Sequence, residues 1–164
     1  MEKALPKTRE YKNNICEKYF NMIYKLALSQ TKDVSHAEDV TSDVFLKFIA
    51  STKEFESEEH IKAWLIRVTI NCSKSIFSSS WFKKTVPLEE TLAAEMPQEE
   101  SDVYLSVLKL PQKYRAVIHL FYYEDLSVAQ ISKYLNINES TVRSQLTRGR
   151  SLLRISLEGE EEIV

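Results

Sequence analysis

Apolar residues recur every three or four positions along residues 15–76, the period of α-helices with one face turned inward. Ile15, Tyr19, Ile23 and Leu26 predict a first helix after Asn13 and Asn14, residue types that cap helix starts. Ser35-His36-Ala37-Glu38 has the form of a capping box, in which the Ser oxygen and the Glu carboxylate satisfy each other's orphan N–H groups, and it predicts the start of a second helix. There Ala37, Val40, Val44 and Phe48, with Ile49 beside them, face a core, while Glu38, Asp39 and Asp43 lie elsewhere around the cylinder. Ser57 precedes a third helix. Its inward stripe is Ile61, Trp64, Leu65, Val68, Cys72 and Ile76, which leaves Arg67, Asn71 and Lys74 together on a polar face able to meet a ligand.

The pattern resumes at Val103, Val107 and Leu110, a short helix that stops before Pro111, whose ring suits the first position of the next helix. Tyr114, Val117, Ile118 and Phe121 predict that helix's buried stripe. Ser127-Val128-Ala129-Gln130 is a second capping box, opening a short helix that carries Val128, Ile131 and Leu135 and ends at Asn136. Asn138 then caps a long terminal helix. Val142, Leu146 and Leu153 are its apolar positions; Arg143, Thr147, Arg150 and Arg154 form another stripe, with Ser140, Ser144 and Arg148 alongside. A short helix, a tight turn and a polar-faced helix predict a helix-turn-helix, since Arg can donate two parallel hydrogen bonds to a guanine edge while Ser and Thr anchor phosphates. A helical hairpin with a charged solvent face fits the same periodicity.

Composition supports an all-α chain: among 164 residues there are only 2 Gly and 4 Pro, too few for the turns of closed β architectures. No run approaches the roughly 18 apolar residues of a membrane span. The opening MEKALPKTREYKNN lacks the apolar core of a secretory signal, so a cytoplasmic protein is expected. Cys16 and Cys72 stand far apart, with no His or second Cys at metal-ligand spacing, and read as small fillers of buried helix faces. His36, His60 and His119 are equally scattered, and no GxGxxG, Walker loop, GxSxG or HExxH occurs. Neither a metal, a cofactor nor catalysis is expected; a nucleophilic Cys16 or Cys72 would have no local arrangement behind it.

The net charge of −2 is unevenly spread. Residues 61–84 carry Lys62, Arg67, Lys74, Lys83 and Lys84 with no acid, and residues 133–157 carry Lys133, Arg143, Arg148, Arg150 and Arg154 against Glu139 alone. Between these basic islands lie Glu89, Glu90, Glu95, Glu99, Glu100 and Asp102 with Pro87 and Pro97, the composition of a solvated, flexible linker. Segregation of this kind favours a polyanionic ligand over an ordinary charged surface.

Three blocks, AEDVTSDVFLKF at 37–48, IKAWLIRVTINCSKS at 61–75 and LPQKYRAVIHLFYYEDLSVAQISKYLNINESTVRSQLTRGRSLL at 110–153, resemble in order and spacing the extracytoplasmic-function class of bacterial RNA polymerase sigma factors. The resemblance covers nearly the whole chain. It implies two small helical domains: residues 1–84 as the sigma region 2 bundle, 85–101 as the acidic linker and 102–164 as the region 4 helix-turn-helix domain. It also implies a non-enzymatic initiation factor that binds core polymerase at the large-subunit clamp helices and flap, engages promoter DNA, and is held by a cognate anti-sigma factor without being membrane-embedded itself.

The residues follow block by block. Glu38, Asp39, Asp43 and Lys47 align with the family's clamp-binding helix. The minus-ten element would be read by the loop Lys53–His60, with Phe55 and His60, and by the face of Arg67, Asn71 and Lys74; Trp64 belongs to the core. The minus-thirty-five element would be met by Ser140, Thr141, Arg143, Ser144, Thr147, Arg148 and Arg150, with Arg143 nearest the base edges and Arg150 and Arg154 nearer phosphates. Two departures are visible: the loop KEFESEEH is acidic, and Ser75 stands where relatives often carry Asp. The acidic end Glu158–Glu162 reads as a solvated tail. The alternative is a stand-alone helix-turn-helix regulator that never touches polymerase, in which the block at 37–48 would have no role.

Overall fold

The computed structural model describes residues 5–77 and 98–162. The chain divides into two compact units, Met1–Lys84 and Thr85–Val164, and every regular element among the described residues is an α-helix.

The first unit is a bundle of α1 (Arg9–Thr31), α2 (Val34–Ala50) and α3 (Glu58–Phe77), each packed on the other two. Helix α1 starts ahead of the expected Asn13 and Asn14, because Thr8 takes the cap and its side chain accepts from the Tyr11 N–H. In the same way Asp33, not Ser35, caps α2 by accepting from the His36 N–H at 2.9 Å, so the box expected at Ser35–Glu38 does not form the helix start. Between the two helices the chain turns at Lys32, in the left-handed region at φ 59°. Ala37, Val40, Val44 and Phe48 are buried as their spacing requires, and Phe45 joins them.

The core face of α3 is turned from the expected stripe. Ile61, Leu65, Ile66, Thr69, Ile70 and Ser73 are buried, whereas Trp64, Val68, Cys72 and Ile76 are half-buried along a flank. Thr69 and Ser73 enter the interior because their hydroxyls donate to the carbonyls of Leu65 and Thr69, four residues back, at 2.6 and 2.8 Å. A polar residue that satisfies itself within its own helix behaves as an apolar one in packing, and this displaced the pattern.

In the second unit α4 (Gln98–Leu108), α5 (Gln112–Tyr122) and α6 (Val128–Leu135) all pack against the long α7 (Glu139–Glu162). Helix α4 begins within the expected linker 85–101; the rest of that linker and the basic pair Lys83 and Lys84 lie outside the described residues. Val103 is exposed, and Tyr104, Val107, Leu108 and Leu110 form the inward set. Pro111 sits just before α5 as its cap rather than at its first position. The Ser127 capping box is present with both bonds, Gln130 N–H to Ser127 Oγ at 3.1 Å and Ser127 N–H to Gln130 Oε1 at 2.9 Å. Asn136 ends α6 in the left-handed conformation at φ 57°. The terminal acidic residues begin within a helix: α7 continues to Glu162, and Arg154 donates to Glu158 at 3.0 Å.

Helices α5 and α7 approach closely at Gly149, where an added Cβ would stand 2.9 Å from Ile118 Cγ1. Ile118 is buried, and the close approach falls on its Cγ1 rather than on the far end of its side chain. Gly149→Ala should therefore lower the melting temperature of this unit, since overpacking of about 1–3 kcal/mol exceeds the gain of up to about 1 kcal/mol in helix propensity. A raised melting temperature would show that Ile118 gives way freely.

Candidate partner and nucleic-acid interfaces

Helix α2 turns Glu38, Asp39, Asp43 and Lys47 outward, and all four are exposed. Asp43 is bound to Lys47 at 3.0 Å, and the hydrogen bond from Lys47 holds its carboxyl below the usual carboxylate range. Cys72 of α3 adds a contact, its thiol donating to Asp43 Oδ2 at 3.4 Å, with Lys47 Nζ 3.5 Å from the sulfur. Burial, and then the hydrogen bond to Asp43, push the Cys72 thiol up, the opposite of an activated nucleophile. Neither Cys72 nor Cys16 is a core filler; both are half-buried. Asp39, Asp43, Lys47 and Cys72 line a groove of about 590 Å³ between α2 and α3.

Beside these charges lie apolar side chains that the pattern did not single out. Leu46 is 65% exposed, Ile49 43% and Phe20 of α1 50%, and Phe20 stacks on both Tyr24 and Phe45. Ile49 was expected in the core. It stays outside because a helix turns about 100° per residue, which carries Ile49 away from the buried Phe48; Lys12 of α1 closes the end of α2, its ammonium donating to the carbonyls of Ile49 and Ser51 at 2.9 and 3.0 Å. Large apolar groups next to a charged groove mark a protein-binding surface. Leu46, Ile49 and Phe20 were legible only as apolar residues off the main stripe of their helices.

On α3, Arg67, Asn71 and Lys74 are all exposed, one turn apart along one face. The loop before them is built differently from expectation. Phe55 is only 8% exposed and packs against Phe48, Trp64 and His60, with ring centres 5.8, 5.9 and 5.2 Å apart. It therefore forms the floor of the loop. His60 is tied to the loop as well, its Nδ1 accepting from the Glu56 N–H at 3.3 Å. Trp64, expected in the core, is half-buried at the edge of this aromatic cluster.

In the second unit Val142 and Leu146 are buried, and Ser140, Thr141, Arg143, Ser144, Thr147 and Arg148 are exposed around the opposite side of α7. Arg143 lies 3.7 Å from Glu139. Arg150 is exposed too, and it has partners on α5. Its Nε donates to Tyr122 Oη at 2.6 Å, and its guanidinium stacks 5.5 Å from the Phe121 ring, so α5 steadies it on one flank of α7.

Family models match in the same order as the units. Sigma-70 region 2 matches residues 15–82, and Sigma-70, region 4 matches residues 100–153. The chain belongs to the sigma-70 family. It is 26% identical to the ECF RNA polymerase sigma factor SigW of Bacillus subtilis over 88% of this chain and 87% of the relative. It is 27% identical to the ECF RNA polymerase sigma factor SigM of the same organism, over 87% of this chain and 92% of the relative. Its fold is similar to that of the sigma factor RpoE crystallised with the anti-sigma factor NepR from Bartonella quintana, with a TM-score of 0.72 and 18% identity over 92% of this chain and 98% of that one.

These matches place the surfaces of the first unit in region 2 and the α6–α7 helix-turn-helix in region 4 of a sigma-70 protein. Proteins of this family are regulatory and bind DNA. Among the described residues, no helix is long and apolar enough to cross a membrane.

Proposed function

We infer that this chain is an alternative sigma factor, which binds core RNA polymerase, directs it to promoters and starts transcription without catalysing a reaction itself. One observation carries the reading: a region 2 bundle and a region 4 helix-turn-helix occur in order within one chain, matched over residues 15–82 and 100–153. A stand-alone helix-turn-helix regulator would have no use for the first of these. Transcription takes place where core polymerase is, so the site of action is the cytoplasm. The test is runoff transcription with purified core polymerase on a genomic fragment library. New, discrete transcripts are expected; none from a factor that still binds duplex DNA would favour the stand-alone regulator.

The domain roles follow. Residues 1–84 bind polymerase and the minus-ten element, residues 85–101 link, and residues 102–164 bind the minus-thirty-five element and the polymerase flap. Exposed Asp39 and Asp43, with Leu46 and Ile49 beside them, support a clamp contact on α2. The exposed row Arg67, Asn71 and Lys74, with His60 at its loop end, suits a single strand, for which a positive groove is needed. Phe55 supports this loop from beneath. An anti-sigma partner is supported by the Bartonella complex, in which a chain of the same fold is bound by one.

Within α7, Arg143 and Ser144 lie near the start of the recognition helix and reach base edges, with Ser140, Thr141, Thr147 and Arg148 around them and Arg150 nearer the phosphates. Arg143→Ala should lose roughly 1–3 kcal/mol on the preferred sequence and relax discrimination at one base pair. Arg154→Ala should weaken all duplexes alike and flatten the salt dependence by a log–log slope of about 0.9 per lost phosphate contact. Identical behaviour of the two variants, with unchanged sequence preference, would reject the recognition-helix assignment.

A further inference from the structure

The turn between α6 and α7 is fastened from a single residue of α6. Ser132 accepts at its carbonyl from the N–H of Asn136 and from that of Ile137, the latter at 3.1 Å. Its hydroxyl donates to the Ile137 carbonyl. The chain reverses between these bonds at Asn136, in the left-handed region at φ 57° and ψ 48°. Both backbone groups of Ile137 are thereby tied to Ser132. The next residue, Asn138, opens the ladder of α7, its carbonyl accepting from the Val142 N–H at 3.0 Å.

The direction of the hydroxyl sets Ser132 apart. Thr41, Thr69 and Ser73 return their hydroxyls to carbonyls four residues earlier in their own helices, the ordinary outlet for such a group inside a helix. Ser132 reaches forward instead, out of α6. The Ile137 carbonyl lies one residue ahead of the α7 ladder, so its donor has to come from elsewhere, and the half-buried Ser132 supplies it. Buried Val142 and Leu146 hold α7 against the core of the unit, but apolar contact is non-directional and leaves the helix free to rock. The bonds at Ile137 remove that freedom, because neither of its peptide planes can rotate without breaking one of them. Arg143 stands six residues beyond Ile137. That is about 9 Å along a helix at 1.5 Å per residue, so a tilt of about 10° at the turn shifts it by about 1.5 Å. A contact with a base edge needs placement to within about 0.5 Å.

We propose that Ser132 is a positioning residue for sequence readout: by holding both backbone groups of Ile137 it fixes the angle at which α7 presents Arg143 and Ser144 to the base edges. The assignment rests on the helix-turn-helix reading and deepens it. Ser132 touches no base in this role; it acts through the side chains that do.

The test uses the full chain and two duplexes of about 20 base pairs, roughly two helical turns. One is selected by the wild type from a random-sequence pool, and the other carries the same bases scrambled; the ratio of the two affinities is the readout. Ser132→Ala should lower that ratio about tenfold, part of the roughly 5- to 150-fold that one bidentate base contact supplies, while affinity for the scrambled duplex stays within about twofold. Ser132→Thr keeps the hydroxyl and should keep the ratio. Ser127→Ala unties the opposite end of α6, so it should lower the melting temperature as Ser132→Ala does and leave the ratio alone. In an Arg143→Ala background, Ser132→Ala should lower the ratio little further, because the contact it aligns is already gone. An unchanged ratio in Ser132→Ala, an equal fall in Ser127→Ala, or full additivity with Arg143→Ala overturns the positioning role, while discrimination by the wild type upholds the helix-turn-helix. A wild-type chain that enriches no sequence from the pool overturns both.

Discussion

Replacing Arg115 by Ala should lower the stability of the second unit more than any surface change, by roughly 2–6 kcal/mol, or about 1–3 for each carbonyl left without a donor. Arg115 is 2% exposed, and its guanidinium donates to the carbonyls of Leu108 and Leu110 at 3.3 and 2.8 Å. Those two groups end α4 and enter the turn at Pro111, where proline has no N–H to offer. The side chain of one helix therefore closes the end of another. Burial lowers the guanidinium to about 10, a cost of about 3 kcal/mol that its hydrogen bonds and packing offset. The sign of the pH effect follows. The folded value lies below the unfolded one, so the unfolded chain holds the extra proton, and the group's penalty is fully present below about pH 10 and relieved only above it. At neutral pH it contributes no slope.

Arg115→Met distinguishes hydrogen bonding from volume. It refills most of the space with an apolar chain but strands the same carbonyls, so thermal melts should find it nearly as destabilised as the alanine variant. Arg115→Lys should recover part of the loss and add a pH dependence near neutrality. A buried ammonium starts from a lower pKa than a guanidinium, so burial brings it into that range, and stability should then rise with pH. A methionine variant as stable as the wild type would mean that the two carbonyls find other partners.

The architecture was legible because it is written in repeated, local signals. Ala37, Val40, Val44 and Phe48 are buried as their spacing requires, and the Ser127–Gln130 box caps α6 with both of its bonds. Signals of equal local quality lost where a neighbour offered a better solution. Asp33 stands two residues before Ser35, and an ionised carboxylate is a stronger acceptor for the free amides of α2 than a hydroxyl. Arg115 could not be foreseen as buried, since its partners are backbone carbonyls whose need arises only after α4 has ended.

The partner surfaces were legible in part for a related reason. Exposed charge on α7 follows from periodicity, but whether an arginine is free to reach out depends on the helix beside it. Arg143 and Arg150 share one stripe, yet Tyr122 and Phe121 of α5 hold only Arg150. Phe55 shows the same effect from the other side: nothing in a polar loop signals that its aromatic residue is buried until Phe48 and Trp64 are found around it.

Asp39→Lys should weaken binding to core polymerase by about 2–3 kcal/mol, roughly 30- to 150-fold, by setting like charges against a basic partner surface. Asp43→Lys should cost less. Asp43 is already bound to Lys47 and Cys72, so part of its charge is spent within the bundle and the new lysine faces an existing cation on its own helix. Leu46, 65% exposed one turn away, contributes by a different route: burying it against the partner is worth about 2 kcal/mol, so Leu46→Ala should cost roughly thirtyfold in affinity. Salt separates the two contributions. Raising ionic strength from low to physiological values shortens the reach of charge, so the Asp39→Lys defect should shrink while the Leu46→Ala defect persists. All three positions are on the surface of α2, and helicity and duplex affinity should match the wild type. Wild-type polymerase affinity in both Asp39→Lys and Leu46→Ala would reject α2 as the clamp-binding face; a loss in Leu46→Ala alone would keep the face and reject the electrostatic part of the contact.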